Sequence, residues 1–130
     1  MFKQKKDRIK PFQVDQQEIN TIIGEGFEIQ GELSGVKAIR IEGRVLGNVR
    51  IETAVILGEK GVIEGDLVAG SAIIFGTVKG NVQSSRLEIK KSGRVDGNIE
   101  TEIIEIELGA KYNGKLQMKS EPVEMLEMAS

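Results

Sequence analysis

Glu100, Glu102, Glu105 and Glu107 place four carboxylates within eight residues, the densest set of carboxylates in this chain. A carboxylate pair can act as general acid and base, provided one of the two is held in a low-dielectric cleft. Here the carboxylates alternate with Thr101, Ile104 and Ile106, a spacing that predicts an outer, solvated face. The chain has no histidine and no cysteine. It therefore lacks the imidazole base or ligand and the thiolate on which most acyl-transfer and zinc chemistry depends, and it cannot form a disulfide. Gly24 and Gly26 are not followed by the third glycine of a dinucleotide loop, and no Gly-x-x-x-x-Gly-Lys-Ser/Thr stretch is present to hold phosphates. The reading is a non-enzyme with no catalytic, metal or cofactor-binding residues and no nucleotide requirement.

The glycines serve another purpose. A phrase of the form apolar-x-Gly-x-apolar returns six times, centred on Gly31, Gly47, Gly65, Gly80, Gly97 and Gly114. The interval drifts between 15 and 18 residues, too short for a helical-hairpin repeat or a propeller blade, and the right length for one turn of a stacked solenoid. Apolar residues alternate within each interval, the period of a strand with one buried face. Ile39, Ile41, Val45, Val49, Ile51, Val55, Leu57, Ile63, Leu67 and Ala69 begin the predicted core, and Ile104, Ile106, Leu108, Ala110, Tyr112, Leu116 and Met118 close it.

Hydrophobic residues make up 39% of the 130 and aromatic ones only 4%, which suits a narrow coil better than a globule with a three-dimensional core. The fold class is all-β: a single-domain parallel β-helix of about six turns, over residues 19–119. From Leu33 to Ala69 inward residues recur every six positions, as in a triangular coil. Left-handed acyltransferase helices share that spacing with turns near 18 residues, so an inactive relative of those enzymes is a distant alternative, and spacing leaves the hand open. The drift in turn length must be taken up at corners.

Asn48, Asp66, Asn81 and Asn98 each follow a repeat glycine, as turn residues do and as a hydrogen-bonded ladder would require. Glu64, Lys79 and Asp96 hold equivalent places in consecutive turns, which predicts stacked opposite charges. Pro11 and Pro122 lie outside the repeats. Residues 1–18 form a basic segment and residues 120–130 an acidic one, both expected to be disordered, solvated tails. Residues 1–10 are charged with no apolar run behind them, which predicts no secretory signal and a cytoplasmic setting.

Gly43–Val49, Gly76–Val82 and Gly93–Ile99, each of the form Gly-x-Val-x-Gly-Asn-Val/Ile, together with the closing Leu108–Met118, resemble the bactofilins, a family of bacterial cytoskeletal proteins. The resemblance covers about residues 20–118. It implies a right-handed parallel β-helix that polymerises end to end without nucleotide into non-polar filaments. It also implies attachment to the inner face of the cytoplasmic membrane through the N-terminal segment, and service to cell-shape, wall-synthesis or motility machinery. The family carries Phe where this chain has Tyr112, in a slot that matters for polymerisation.

Physical chemistry points the same way. A solenoid ends in strands whose N–H and C=O groups and apolar interior lack partners, and soluble solenoids cover such ends with polar caps. Neither flank here reads as an amphipathic cap. The expected polymer interface is Ile22, Ile23 and Phe27 at the N-terminal edge, with Tyr112, Leu116 and Met118 at the C-terminal edge. The chain's partner is then a second copy of itself; the alternative is a monomeric adaptor module whose flanks seal both ends. Met1, Phe2, Ile9 and Phe12 interleave with Lys3, Lys5, Lys6, Arg8 and Lys10, as expected of a segment that inserts apolar side chains while its bases meet anionic lipid. Net charge of −2 and the lack of an aromatic platform exclude a general nucleic-acid binder.

Overall fold

The computed structural model describes residues 19–119, and the basic and acidic segments read from the sequence lie outside the described residues. All regular structure among the described residues is strand. In chain order these are β1 (Ile19–Ile23), β2 (Glu28–Gln30), β3 (Leu33–Gly35), β4 (Ala38–Ile41), β5 (Arg44–Leu46), β6 (Val49–Leu57), β7 (Val62–Glu64) and β8 (Leu67–Ile74). They continue as β9 (Thr77–Lys79), β10 (Val82–Ile89), β11 (Arg94–Asp96), β12 (Ile99–Thr101), β13 (Ile103–Ile106), β14 (Lys111–Asn113) and β15 (Leu116–Met118).

Every pairing is parallel, and each strand pairs with its counterpart one turn away, which makes the molecule a β-solenoid of about six turns. Its first wall is β2-β5-β7-β9-β11-β14. The second wall runs β3, the starts of β6, β8 and β10, then β12 and β15. The third runs β1, β4, the ends of β6, β8 and β10, then β13.

Alternation puts one residue in two inside, and the inward columns form one continuous core. Val45, Ile63, Val78 and Val95 stack along the first wall, Val49, Leu67, Val82 and Ile99 along the second, and Val55, Ala72 and Leu87 along the third. These residues are at most 1% exposed. β-Branched side chains suit the pleated wall, and a coil this narrow has no room for larger rings. The predicted core is found in place as far as Ile99, but its closing members are not buried: Ile106, Leu116 and Met118 are 43%, 41% and 51% exposed on the last described turn, and Leu108 lies not in a strand but at a corner, 93% exposed.

The corner between the first and second walls is where the repeat glycines sit. Gly47 has φ 151°, and a Cβ there would run into the carbonyl of Gly31 one turn away. Only glycine fits such a stack. The residues after these glycines form the ladder. Asn48 Oδ1 accepts Asp66 N–H at 2.9 Å, Asp66 Oδ1 accepts Asn81 N–H at 3.0 Å, Asn81 Oδ1 accepts Asn98 N–H at 3.0 Å, and Asn98 Oδ1 accepts Lys115 N–H at 3.1 Å.

The irregular turn length has two physical origins. The corner from the third wall to the first is long at residues 24–27, 58–61, 90–93 and 107–110, and short at residues 42–43 and 75–76. A further slip falls inside β6, where Glu52 and Thr53 bulge over Gly70 as the strand bends between walls. The expectation that corners absorb all slips is therefore corrected: a strand that rounds a bend absorbs one as well. Glu64, Lys79 and Asp96 do stack in register. Their ion pairs run elsewhere, however, from Arg44 to Glu64 at 2.9 Å and to Glu28 at 3.6 Å, and from Arg94 to Asp96 at 3.0 Å.

Candidate assembly surfaces at the two ends

Among the described residues β1, β2 and β3 pair on one side only, with β4, β5 and β6, while β13, β14 and β15 pair on one side only, with β10, β11 and β12. Within the described residues each end of the coil thus offers three short strands with one open edge. An open edge is a row of unpaired N–H and C=O groups able to template another strand.

Side chains follow the same division. The large hydrophobic residues exposed among the described residues are Ile22, Phe27 and Val36 in the first turn, and Ile103, Ile106, Leu108, Leu116 and Met118 in the last. The turns between them expose none. Ile29 and Leu33 at one end, and Ile104, Ala110 and Tyr112 at the other, are half-buried on the core they terminate. Each is the last member of an inward column: Ile29 stacks on Val45, Leu33 on Val49, Tyr112 on Val95 and Leu116 on Ile99. One further turn of chain would cover them as completely as the columns cover Val78 or Val82.

The N-terminal residues expected at the interface take three different places. Ile23 stacks on Ile41 and belongs to the core, 8% exposed. Ile22 takes the opposite parity, beside Arg40 on the outer surface of the third wall, 64% exposed. Phe27 stands at the corner, 68% exposed, its carbonyl accepting Arg44 N–H. At the C-terminal end Tyr112, Leu116 and Met118 are brought together on adjoining edge strands. Val36, Ile103, Ile106 and Leu108 are exposed in the same two turns and were not among the edge residues expected from the sequence. Leu108 carried a signal, since the other long corners place Glu25, Glu59 and Lys91 at its position.

Tyr112 is chemically the most informative residue of either end. Its hydroxyl is buried with no hydrogen-bond partner among the described residues, and burial raises its pKa above the ordinary phenol value. A buried hydroxyl without a partner is costly, and it is the atom one would expect a docked surface to satisfy.

The carboxylates at Glu100, Glu102, Glu105 and Glu107 lie on the outer side of the last described turns. Glu100 pairs with Lys119 at 2.9 Å, and Glu107 accepts Lys91 N–H at 2.7 Å. Glu102, Glu105 and Glu107 are exposed. No cluster able to hold a metal ion occurs among the described residues, and no helix is long and apolar enough to cross a membrane.

Comparison with known proteins gives a consistent picture. Residues 21–117 match the family described as bactofilin, polymer-forming cytoskeletal. Among curated relatives, bactofilin BacO of Myxococcus xanthus is 36% identical and bactofilin BacP of the same organism 30% identical, each over 76 residues, or 58% of this chain. The matched stretch spans 60% of BacO and 32% of BacP, so this chain corresponds to part of each. The Thermus thermophilus bactofilin, solved by cryo-EM as double helical filaments, is 29% identical with a TM-score of 0.75, covering 77% of this chain and 100% of that one. Bactofilin BacA, a cytoskeletal protein solved by solid-state NMR, is 28% identical with a TM-score of 0.70, covering 77% of this chain and 96% of its own.

Proposed function

We propose that this chain, which belongs to the bactofilin family of polymer-forming cytoskeletal proteins, builds its filaments by abutting the uncovered ends of successive solenoids, without nucleotide. The observation that carries the proposal is the confinement of exposed large hydrophobics to the first and last turns. A solenoid selected to stay monomeric would carry its polar surface over both ends, since apolar columns and open edges left there invite stacking. Covering the exposed parts of Ile106, Tyr112, Leu116 and Met118 contributes about 1 kcal/mol each. Strand pairing across the junction adds to this, and together they offset association costs of several kcal/mol.

The interface in this reading is Phe27, Val36, Ile29 and Leu33 at one end and Tyr112, Leu116, Met118, Ile106 and Leu108 at the other. Filaments in turn multiply a weak lipid contact. Met1, Phe2, Ile9 and Phe12 insert and Lys3, Lys5, Lys6, Arg8 and Lys10 meet anionic headgroups, so that many tails on one polymer bind by avidity. This seats the scaffold on the inner face of the cell membrane, where it organises shape, wall-synthesis or motility proteins.

Electron microscopy and sedimentation of the purified protein, with no nucleotide added, test the assembly. Filaments that pellet are the expected result. Single subunits of about 14 kDa at high concentration would sink the proposal.

A further inference from the structure

The outer side of the second wall carries a free base and an acceptor-rich groove that cannot reach each other. Successive turns place Ser34, Arg50, Val68, Gln83, Glu100 and Gln117 in one outward column, each in register with the next. Arg50 is exposed, and its guanidinium has no ion pair or hydrogen bond among the described residues. Three turns further on, Glu100 lines a groove of about 380 Å³ together with Asp66, Asn81 and Asn98. Three strand spacings come to about 14 Å, too far for Arg50 and Glu100 to pair within one subunit. The first wall differs, because its bases already hold acids of their own subunit: Arg44 pairs with Glu28 and Glu64, and Arg94 with Asp96.

The groove suits a guanidinium from outside. Its carboxylates and side-chain amide oxygens match the planar fork of arginine. Asn81 and Asn98 use Oδ1 in the ladder, which leaves their NH2 groups able to donate to a second surface.

Both columns of this face are self-complementary. Reversed and laid on a copy of itself, the outward column puts Arg50 on Glu100, Val68 on Gln83 and Ser34 on Gln117. The corner column beside it reads Glu32, Asn48, Asp66, Asn81, Asn98 and Lys115. The same reversal puts Glu32 on Lys115, Asn48 on Asn98 and Asp66 on Asn81. A contact with the turns in the same order would set Arg50 on Arg50 and Glu100 on Glu100. The reversed contact is isologous, about a two-fold axis between the turns of Val68 and Gln83. Like charges meet in it only at the bend, where Glu52 and Glu102 are exposed and screened.

Size sets when the contact forms. Six turns of about 4.8 Å by three residues of about 3.3 Å give a face of roughly 300 Å². A stable complex covers about 800 Å² per partner, so two lone subunits do not hold. Subunits joined end to end repeat the contact along their length, and each contact raises the effective concentration for the next.

We infer that polymers of this chain pair side by side through their second walls, subunits antiparallel across the contact, with Arg50 of each in the groove of the other. The pairing rests on the end-to-end reading, which supplies the repetition.

Electron microscopy of the full-length protein and its charge-swapped variants tests it, with paired and single filaments counted. The parent should form paired filaments. Arg50→Glu and Glu100→Arg should each keep filaments and cut the paired fraction at least tenfold, and Arg50→Gln should cut it several-fold. The double swap should return pairing to within about twofold of the parent, as should mixing preformed filaments of the two single variants. That rescue has no counterpart within a subunit, where the two positions lie three turns apart. Single swaps that stay paired, or a double swap that stays single, would overturn the inference, the latter giving the groove to a basic segment of another protein. Parent filaments that are always single would overturn the pairing and leave end-to-end joining intact. A parent with no filaments would overturn the joining, and the pairing with it.

Discussion

The side-chain oxygen of Asn81 accepts the backbone N–H of Asn98 at 3.0 Å, so the corner of one turn is tied to the corner of the next by a side chain rather than by strand pairing. Asn81 is itself held by Asp66, and Asn98 in turn holds Lys115. Asn81→Ala leaves the Asn98 N–H without its acceptor, at about 1–2 kcal/mol. At roughly 4–8 °C per kcal/mol for a domain of this size, thermal unfolding followed by circular dichroism should shift downward by about 5–15 °C. Asn81→Asp keeps the acceptor oxygen and should stay within a few degrees of the parent. Equal losses in both variants would show that the ladder contributes nothing of its own.

Tyr112 separates the junction from the fold. Tyr112→Arg places a charge on the last inward column, where a docked subunit would have to bury it unpaired, at several kcal/mol. Pelleting should fall at least tenfold while the far-ultraviolet spectrum of the solenoid is kept. Tyr112→Phe removes a buried hydroxyl that has no partner within the described residues, so the subunit should unfold at an equal or higher temperature. If a docked copy supplies the acceptor, the same variant raises the critical concentration for pelleting about threefold or more. A lower critical concentration would mean that the hydroxyl stays unpartnered in the polymer.

The core was legible because a solenoid is nearly one-dimensional: the alternation through Ile39, Val45, Val55 and Leu57 is local, and each turn needs only the turn beside it. The ladder was legible for the same reason, since Asn or Asp recurs at a fixed place after the repeat glycine. Interface residues were harder. Ile22 and Ile23 are adjacent in sequence, and one residue of parity sends them to opposite sides of the wall. The bulge at Glu52 and Thr53 was invisible because turn length counts residues without saying where the extra one sits.

Alkaline pH should weaken the C-terminal half of the rod. Burial raises the Tyr112 pKa above its ordinary value of 10.0. The folded subunit therefore holds that proton more tightly than the unfolded chain does. This contribution is complete below pH 10 and is lost as pH climbs through the raised value. Lys90 behaves alike from 10.5 upward, since the hydrogen bond to Glu88, chiefly, favours its ammonium against the opposing cost of burial. Unfolding temperatures should fall between pH 10 and 12, and the slope should be shallower in Tyr112→Phe and in Lys90→Met. Parallel slopes for all three proteins would remove both groups from the effect.

The lipid reading predicts a difference that depends on assembly. With phosphatidylglycerol vesicles at low salt, the full-length polymer should co-sediment and a version lacking residues 1–13 should not. Five bases near a charged surface contribute at about 1 kcal/mol each, screened within a Debye length, so raising salt from 0.05 to 0.5 M should release most of the bound protein. Tyr112→Arg keeps the tail intact but leaves it monovalent. A single tail binds weakly and an array binds by effective concentration, so this variant should lose vesicle binding by tenfold or more without any change in the segment that touches lipid. Equal binding by subunit and polymer would show that a lone tail suffices, and the link between filament and membrane would then fail even if each were present.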